Sequence, residues 1–246
     1  MEKMQNISAK VRADLERLPQ GYIFGYGDLL PRPDNAEAVI KALNRMVKSG
    51  QIDKISKGRF YRSVTSPFGN LKPDQSEIIK DLLEENGKVT GYLTGYGIFN
   101  SLGLTTQVSS IIQIGKNQTR PAFNRGQFSI QIIRQKNKIT KDAIPLLQLL
   151  DAVKFIRKIP GASVESSCRR LLTLIKDLSG HEIHTLVQLA MQYPPSTRAL
   201  TGAFLEVLKL QSVSTRLRNS LNPLSAFKIP GADKVLSSVA REWNIR

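Results

Sequence analysis

The chain has 246 residues, 41% of them hydrophobic, enough to bury a substantial core in one or two compact domains. With 36 Lys and Arg against 20 Asp and Glu, the net charge is +16, which favours a polyanionic partner: DNA, RNA or an anionic membrane surface. The single cysteine, Cys168, excludes an internal disulfide. The charged N-terminus and the lack of any run of membrane-spanning length exclude a signal peptide and a transmembrane helix, so a soluble cytoplasmic protein is expected.

Ser8 is placed to cap a first helix whose apolar positions Ile7, Val11, Leu15 and Leu18 share one side, with Pro19 and Gly21 closing it. Tyr22-Ile23-Phe24 reads as a short strand, and Gly25 to Leu30 as one or two helical turns stopped by Pro31 and Pro33. Asp34 or Asn35 can then cap a longer helix. There Ala36, Val39, Ile40, Leu43, Met46 and Val47 form an apolar stripe on a helical period. Opposite them Lys41, Asn44, Arg45 and Lys48 recur at three-and-four spacing. They form a cationic and amide face of residue types that contact phosphates and base edges.

Gly50 ends that helix. Gln51 to Ile55 and Arg59 to Arg62 read as a hairpin about Ser56-Lys57-Gly58, with Gly58 supplying the positive φ of a tight turn. Helix followed by basic β-wing is the pattern of a winged helix-turn-helix. Lys41, Asn44, Arg45, Lys48, Lys57 and Arg59 are therefore the candidate DNA-binding residues. Tyr26 and the amides around Asn35 are further candidates for phosphate contact, although Tyr26 is as well placed to pack beneath the helix.

Residues 64–70, with Pro, Gly and small polar side chains, read as a linker, dividing an N-terminal domain (1–64) from a C-terminal one (65–246). The latter begins with a mixed α/β part, 65–138. An amphipathic helix from Pro73 to Glu85 is followed by the glycine-aromatic stretch Gly87 to Val108, holding a short helix over Tyr96 to Leu102. Two strands then follow, Ser110 to Gly115 and Phe128 to Ile133, the second partly alternating and so expected to be buried on both faces. Between them Lys116, Arg120 and Arg125 lie in a loop that reads either as a second cationic contact or as a solvated turn. From 139 to 246 the period is mainly helical: Asp142 to Ile159, Val164 to Leu178, His181 to Gln192 and Thr197 to Lys209. Asn222 to Ile229 is expected as an edge strand and Asp233 to Trp243 as a terminal helix. The expected class is α+β.

Catalytic and metal chemistry find little support. The glycines of the 87–108 stretch lack the Lys-Ser/Thr of a P-loop and the spacing of a dinucleotide fold. His181 and His184 lack the further ligands a metal needs. Cys168 has the setting of a small core residue, and the adjacent acids Glu84 and Glu85 cannot face one site. No catalytic residue, metal or cofactor is expected.

Four segments resemble the AbiEi-like antitoxins of type IV toxin-antitoxin systems, in the branch with an N-terminal winged helix: LNRMVKSGQIDKISKGRFYR (Leu43 to Arg62), GYLTGYGIFNSLGLTTQV (Gly91 to Val108), YPPSTRALTGAFLEVL (Tyr193 to Leu208) and LNPLSAFKIPG (Leu221 to Gly231). The resemblance implies a bacterial protein encoded beside a nucleotidyltransferase-type toxin. Its winged helix would bind inverted repeats in double-stranded promoter DNA to repress the operon, and its C-terminal part would provide antitoxicity. The alternatives are a nucleic-acid-processing enzyme that uses the winged helix as a substrate clamp, and a module that binds the toxin directly.

Overall fold

Apolar spacing on the first helix sets up the first core. The computed structural model describes residues 2–29, 36–66, 69–71, 73, 75–85 and 87–246. In helix α1 (Glu2–Arg17), which begins ahead of the expected Ser8 cap, Val11 and Leu15 are buried and Ile7 packs beside them, as does Leu18 just beyond the helix. Gly21, at φ 77°, turns the chain into β1 (Ile23–Gly25) and a 3-10 turn over Tyr26–Leu29. Pro31, Pro33, Asp34 and Asn35, expected to separate and cap the next helix, lie outside the described residues.

Helix α2 (Ala36–Lys48) buries Val39, Leu43 and Met46, and Gly50 at φ 71° ends the turn that follows it. Strands β2 (Asp53–Ser56) and β3 (Arg59–Tyr61) form the wing, with Gly58 at φ 73° in its turn. The antiparallel sheet runs β1-β3-β2, with Phe24 opposite Phe60 and their rings 6.0 Å apart. Phe60 and Leu43 are fully buried, each worth about 1.5–3 kcal/mol of apolar burial. This order of elements is that of a winged helix-turn-helix.

Within and beside residues 64–70, read as an irregular linker, β4 (Val64–Ser66) pairs antiparallel with β5 (Gly69–Leu71). Helix α3 (Gln75–Leu83) follows, with Ile78 and Ile79 buried. The chain divides into two compact units, residues 1–80 with 124–127, and residues 81–123 with 128–246. The first thus extends past residue 64. Within it the Lys80 ammonium lies 4.8 Å from the centre of the Tyr22 ring, and the Arg125 guanidinium donates to the Ile78 carbonyl at 2.7 Å.

The second unit contains β6 (Glu84–Glu85), β7 (Lys88–Val89), β8 (Gly91–Thr94), helix α4 (Tyr96–Ser101) and strand β9 (Ile111–Lys116). Strand β10 (Phe123–Arg125) leads to β11 (Phe128–Arg134), and within this unit the sheet runs β11-β9-β8. Strand β11 runs parallel to β9 and β8 antiparallel to it. Only Ile130 of β11 is fully buried, so the expectation of two buried faces is corrected: both faces of this strand stay partly open. Tyr92 sits opposite Gly115, and its ring occupies the space a Cβ there would need.

Helices α5 (Ile144–Lys154), α6 (Val164–Lys176), α7 (Gly180–Ala190), α8 (Pro195–Val207) and α9 (Gln211–Asn219) form the bundle. Ser163 caps α6. Ser179 and Glu182 form a reciprocal capping box on α7, which assigns Glu182 a structural role. Helix α8 is buried on most sides from Ala199 to Leu205 and runs through the core, with Gly202 beneath the indole of Trp243. The terminal helix is split at Ser237, which has φ 51°, into α10 (Asp233–Leu236) and α11 (Ser238–Glu242). The expected edge strand at 222–229 is replaced by one isolated parallel bridge, Phe227 to Ile245, in which the Phe227 and Ile229 amides donate to the Asn244 and Arg246 carbonyls.

A polar cluster is buried where sheet and bundle of this unit meet. The Asp151 carboxylate accepts hydrogen bonds from Tyr92 Oη at 2.6 Å, Thr94 Oγ1 at 2.7 Å and Tyr193 Oη at 2.9 Å. Gln135 Nε2 donates to both phenol oxygens, and Gln135 Oε1 accepts from the amide and side chain of Asn137. Burial pushes the Asp151 carboxyl above its ordinary range, partly offset by the three hydroxyls, and burial likewise pushes both phenols up. Satisfied in this way, the cluster ties together residues 92, 94, 135, 137, 151 and 193, drawn from four parts of the chain.

Candidate nucleic-acid interface

The two faces of α2 are chemically separated. While Val39, Leu43 and Met46 are buried, Lys41, Asn44, Arg45 and Lys48 are exposed on the opposite side. Lys41 differs from the rest. Its ammonium pairs with Glu37, one turn earlier, at 2.7 Å, and that lysine holds the Glu37 carboxyl below its ordinary range. Among the described residues, Asn44, Arg45 and Lys48 have no ion pair or side-chain hydrogen bond, so they can engage a partner without breaking an internal contact.

The wing presents Lys57 at its exposed tip, while Arg59 is half-buried beside Gly25 and Ser56 and engaged in an internal contact. Tyr26 packs edge-on against Phe60 at 5.6 Å and against Gly58, which assigns its ring to the wing's support. Asp28 Oδ2 accepts from the Gly25 amide at 2.6 Å and fixes the turn that follows β1. Lys54, exposed on β2, is a further wing cation absent from the sequence-based candidates; its place between Asp53 and Ile55 offers no period to single it out.

The possible second cationic contact dissolves as a group. Lys116 is half-buried at the end of β9, donating to the Leu82 carbonyl at 2.7 Å and to Thr90 Oγ1 at 3.1 Å, and burial lowers its pKa. Arg125 is buried against Ile78. Arg120 alone is exposed, with its guanidinium 3.8 Å from the centre of the Phe123 ring. Sequence position alone shows three basic residues near a loop; what each side chain touches follows from the strands that carry it.

Among the described residues no group of three His, Cys, Asp or Glu side chains is arranged to hold a metal ion. His181 and His184 are both exposed. Cys168 is buried, its thiol pushed up to about 12 by desolvation. Among the described residues no helix is long and apolar enough to cross a membrane.

Residues 10–177 match the family of unknown function DUF6088. The chain belongs to this family. The matched range takes in the α2 face, the wing and the sheet of this DUF6088 protein. No curated protein matches it. Its fold is similar to that of the RV2827C protein from Mycobacterium tuberculosis, with a TM-score of 0.63 at 14% identity, over 98% of this chain and 90% of the other.

Proposed function

We propose that this DUF6088 protein is a sequence-specific DNA-binding regulator, an antitoxin that represses its own operon and counteracts a nucleotidyltransferase-type toxin. The observation that carries the DNA-binding part is the exposed, unpaired row Asn44-Arg45-Lys48 on α2, beside a wing with Lys57 at its tip. In this reading α2 enters the major groove, Asn44 and Arg45 reach base edges, Lys48 and Arg59 neutralise phosphates, and Lys57 straddles the adjoining minor groove. Lys41 exchanges Glu37 for phosphate and contributes least. The antitoxin role rests on the family resemblance of the four segments at 43–62, 91–108, 193–208 and 221–231.

The test is a gel-shift titration on the DNA upstream of the protein's own reading frame. Arg45→Ala costs about 1–3 kcal/mol and relaxes preference at one base pair, whereas Lys48→Ala weakens all sequences alike and lowers the salt slope by about 1. Equal affinity for upstream and random DNA overturns the repressor reading. Co-expression with a neighbouring nucleotidyltransferase tests the antitoxin part: continued growth arrest in the presence of this protein overturns it.

A further inference from the structure

A cavity of about 440 Å³ opens in the second unit where the end of β11 meets α5 and the start of α8. Four cations line it: Arg134 and Lys136 from the end of β11 and the residues after it, Lys154 from the last turn of α5, and Arg198 from α8. No Asp or Glu among the described residues lines it. Among the described residues none of the four makes an ion pair, so like charges converge, offset only by the buried Asp151, which acts on Lys154 from one turn earlier on α5; this arrangement favours a bound anion.

The setting is rigid. Arg134 and Lys136 flank buried Gln135, which is locked to Tyr92 and Tyr193, so both cations leave the same side of an extended segment. Arg198 is held by donation of Nη1 to the Ser220 carbonyl at 3.0 Å, and its Nε, shielded from solvent, has no acceptor among the described residues. The nearby carboxylate of Asp151 is sealed behind the Tyr193 phenol and occupied by three hydroxyls. Beside the cations, Met191, Pro194, Pro195 and the edge of the largely buried Tyr193 give a partly apolar wall.

We propose that this cavity binds a nucleoside polyphosphate, with the four cations around the phosphates and the Met191-Tyr193-Pro194 wall against the base. Cationic charge alone suits any phosphate. The cavity's size, within the few-hundred-Å³ range of small-ligand sites, and its apolar wall select a compact ligand with a planar ring over a long nucleic-acid strand. The site is built from residues of the second unit alone and is independent of the DNA-binding proposal.

The test is calorimetric titration of the full chain with ATP, GTP, CTP and UTP, with inorganic triphosphate and adenosine as partial probes. One saturable site is expected for at least one nucleotide, binding more tightly than inorganic triphosphate and far more tightly than adenosine. The double variant Arg134→Glu/Lys136→Glu weakens it at least about 100-fold, about tenfold for each charge-assisted hydrogen bond to phosphate that it removes. Both side chains are exposed, so the melting transition of this variant stays at the wild-type position.

No saturable binding at millimolar nucleotide overturns the proposal, as does binding that the double variant leaves unchanged. Inorganic triphosphate binding as tightly as every nucleotide overturns the nucleoside assignment. If the double variant weakens duplex DNA binding and not nucleotide binding, the cations serve DNA and the proposal falls. Arg45→Ala leaves nucleotide binding intact, which separates failure of this site from failure of the DNA-binding reading.

Discussion

Replacing Asp151 by Ala isolates the buried cluster of the second unit. The carboxylate accepts three hydroxyl hydrogen bonds at 2.6, 2.7 and 2.9 Å. Without it Tyr193 retains the Leu147 carbonyl at 3.3 Å, but the hydroxyls of Tyr92 and Thr94 are left without this acceptor in surroundings closed to water. Each buried hydroxyl left unpaired costs about 1–3 kcal/mol, and removal of a desolvated carboxylate offsets part of that, for a net destabilisation of about 3 kcal/mol. With a urea dependence of about 1–3 kcal/mol per molar, the midpoint falls by about 1–3 M. The one tryptophan, Trp243, is buried in this unit, so its fluorescence reports this transition separately from that of the first unit. Tyr92→Phe, which removes one donor and leaves the acceptor, costs about 1 kcal/mol, and the double variant is destabilised by less than the sum of the two. A midpoint for Asp151→Ala within about 0.3 M of wild type, at unchanged slope, refutes the view that the cluster stabilises the unit.

The same carboxyl makes stability depend on pH. Its folded pKa is raised by burial, so its contribution is fully present below the unfolded value of about 3.9 and is lost as pH rises through the folded value. Relative to Asp151→Asn, the wild type therefore loses stability as pH rises from about 4 and runs parallel once the folded pKa is passed; a relative gain over that window refutes the assignment. Gly115→Ala drives a methyl into the Tyr92 ring and costs about 1–3 kcal/mol, seen as a lower melting temperature by Trp243 fluorescence. Arg125→Ala frees the Ile78 carbonyl and weakens the first unit by about 1–2 kcal/mol, measured as faster amide exchange along α3 with DNA affinity unchanged. Reduced DNA affinity with unchanged exchange would restore Arg125 as a cationic contact.

Local pattern carries the element order a long way. The stripe at Val39, Leu43 and Met46 determines which face of α2 is buried, and so exposes Asn44, Arg45 and Lys48, because a helix repeats every 3.6 residues whatever it packs against. Gly58 marks the wing turn for an equally local reason, the need for positive φ, whereas the Ser179 cap that starts α7 ahead of the expected His181 emerges only in the structure. Strand pairing is less legible. Residues 64–70 have turn chemistry, yet Val64–Ser66 pairs with Gly69–Leu71, whereas residues 222–229 have strand-like apolar spacing but form one bridge, since pairing depends on a partner edge elsewhere in the chain.

The sequence by itself determined the amphipathic helices, the charge excess and the order of a winged helix, all of which follow from composition and short-range periodicity. Only the tertiary structure decided which cations are available. Lys116 and Arg125 are drawn inward to backbone carbonyls, Lys41 is paired along its helix, and Arg134, Lys136, Lys154 and Arg198 are brought to one cavity from a strand end and two helices. A basic side chain gains its meaning from the acceptors within hydrogen-bonding reach. Those acceptors, like the hydroxyls around Asp151, come from distant segments that only folding brings together.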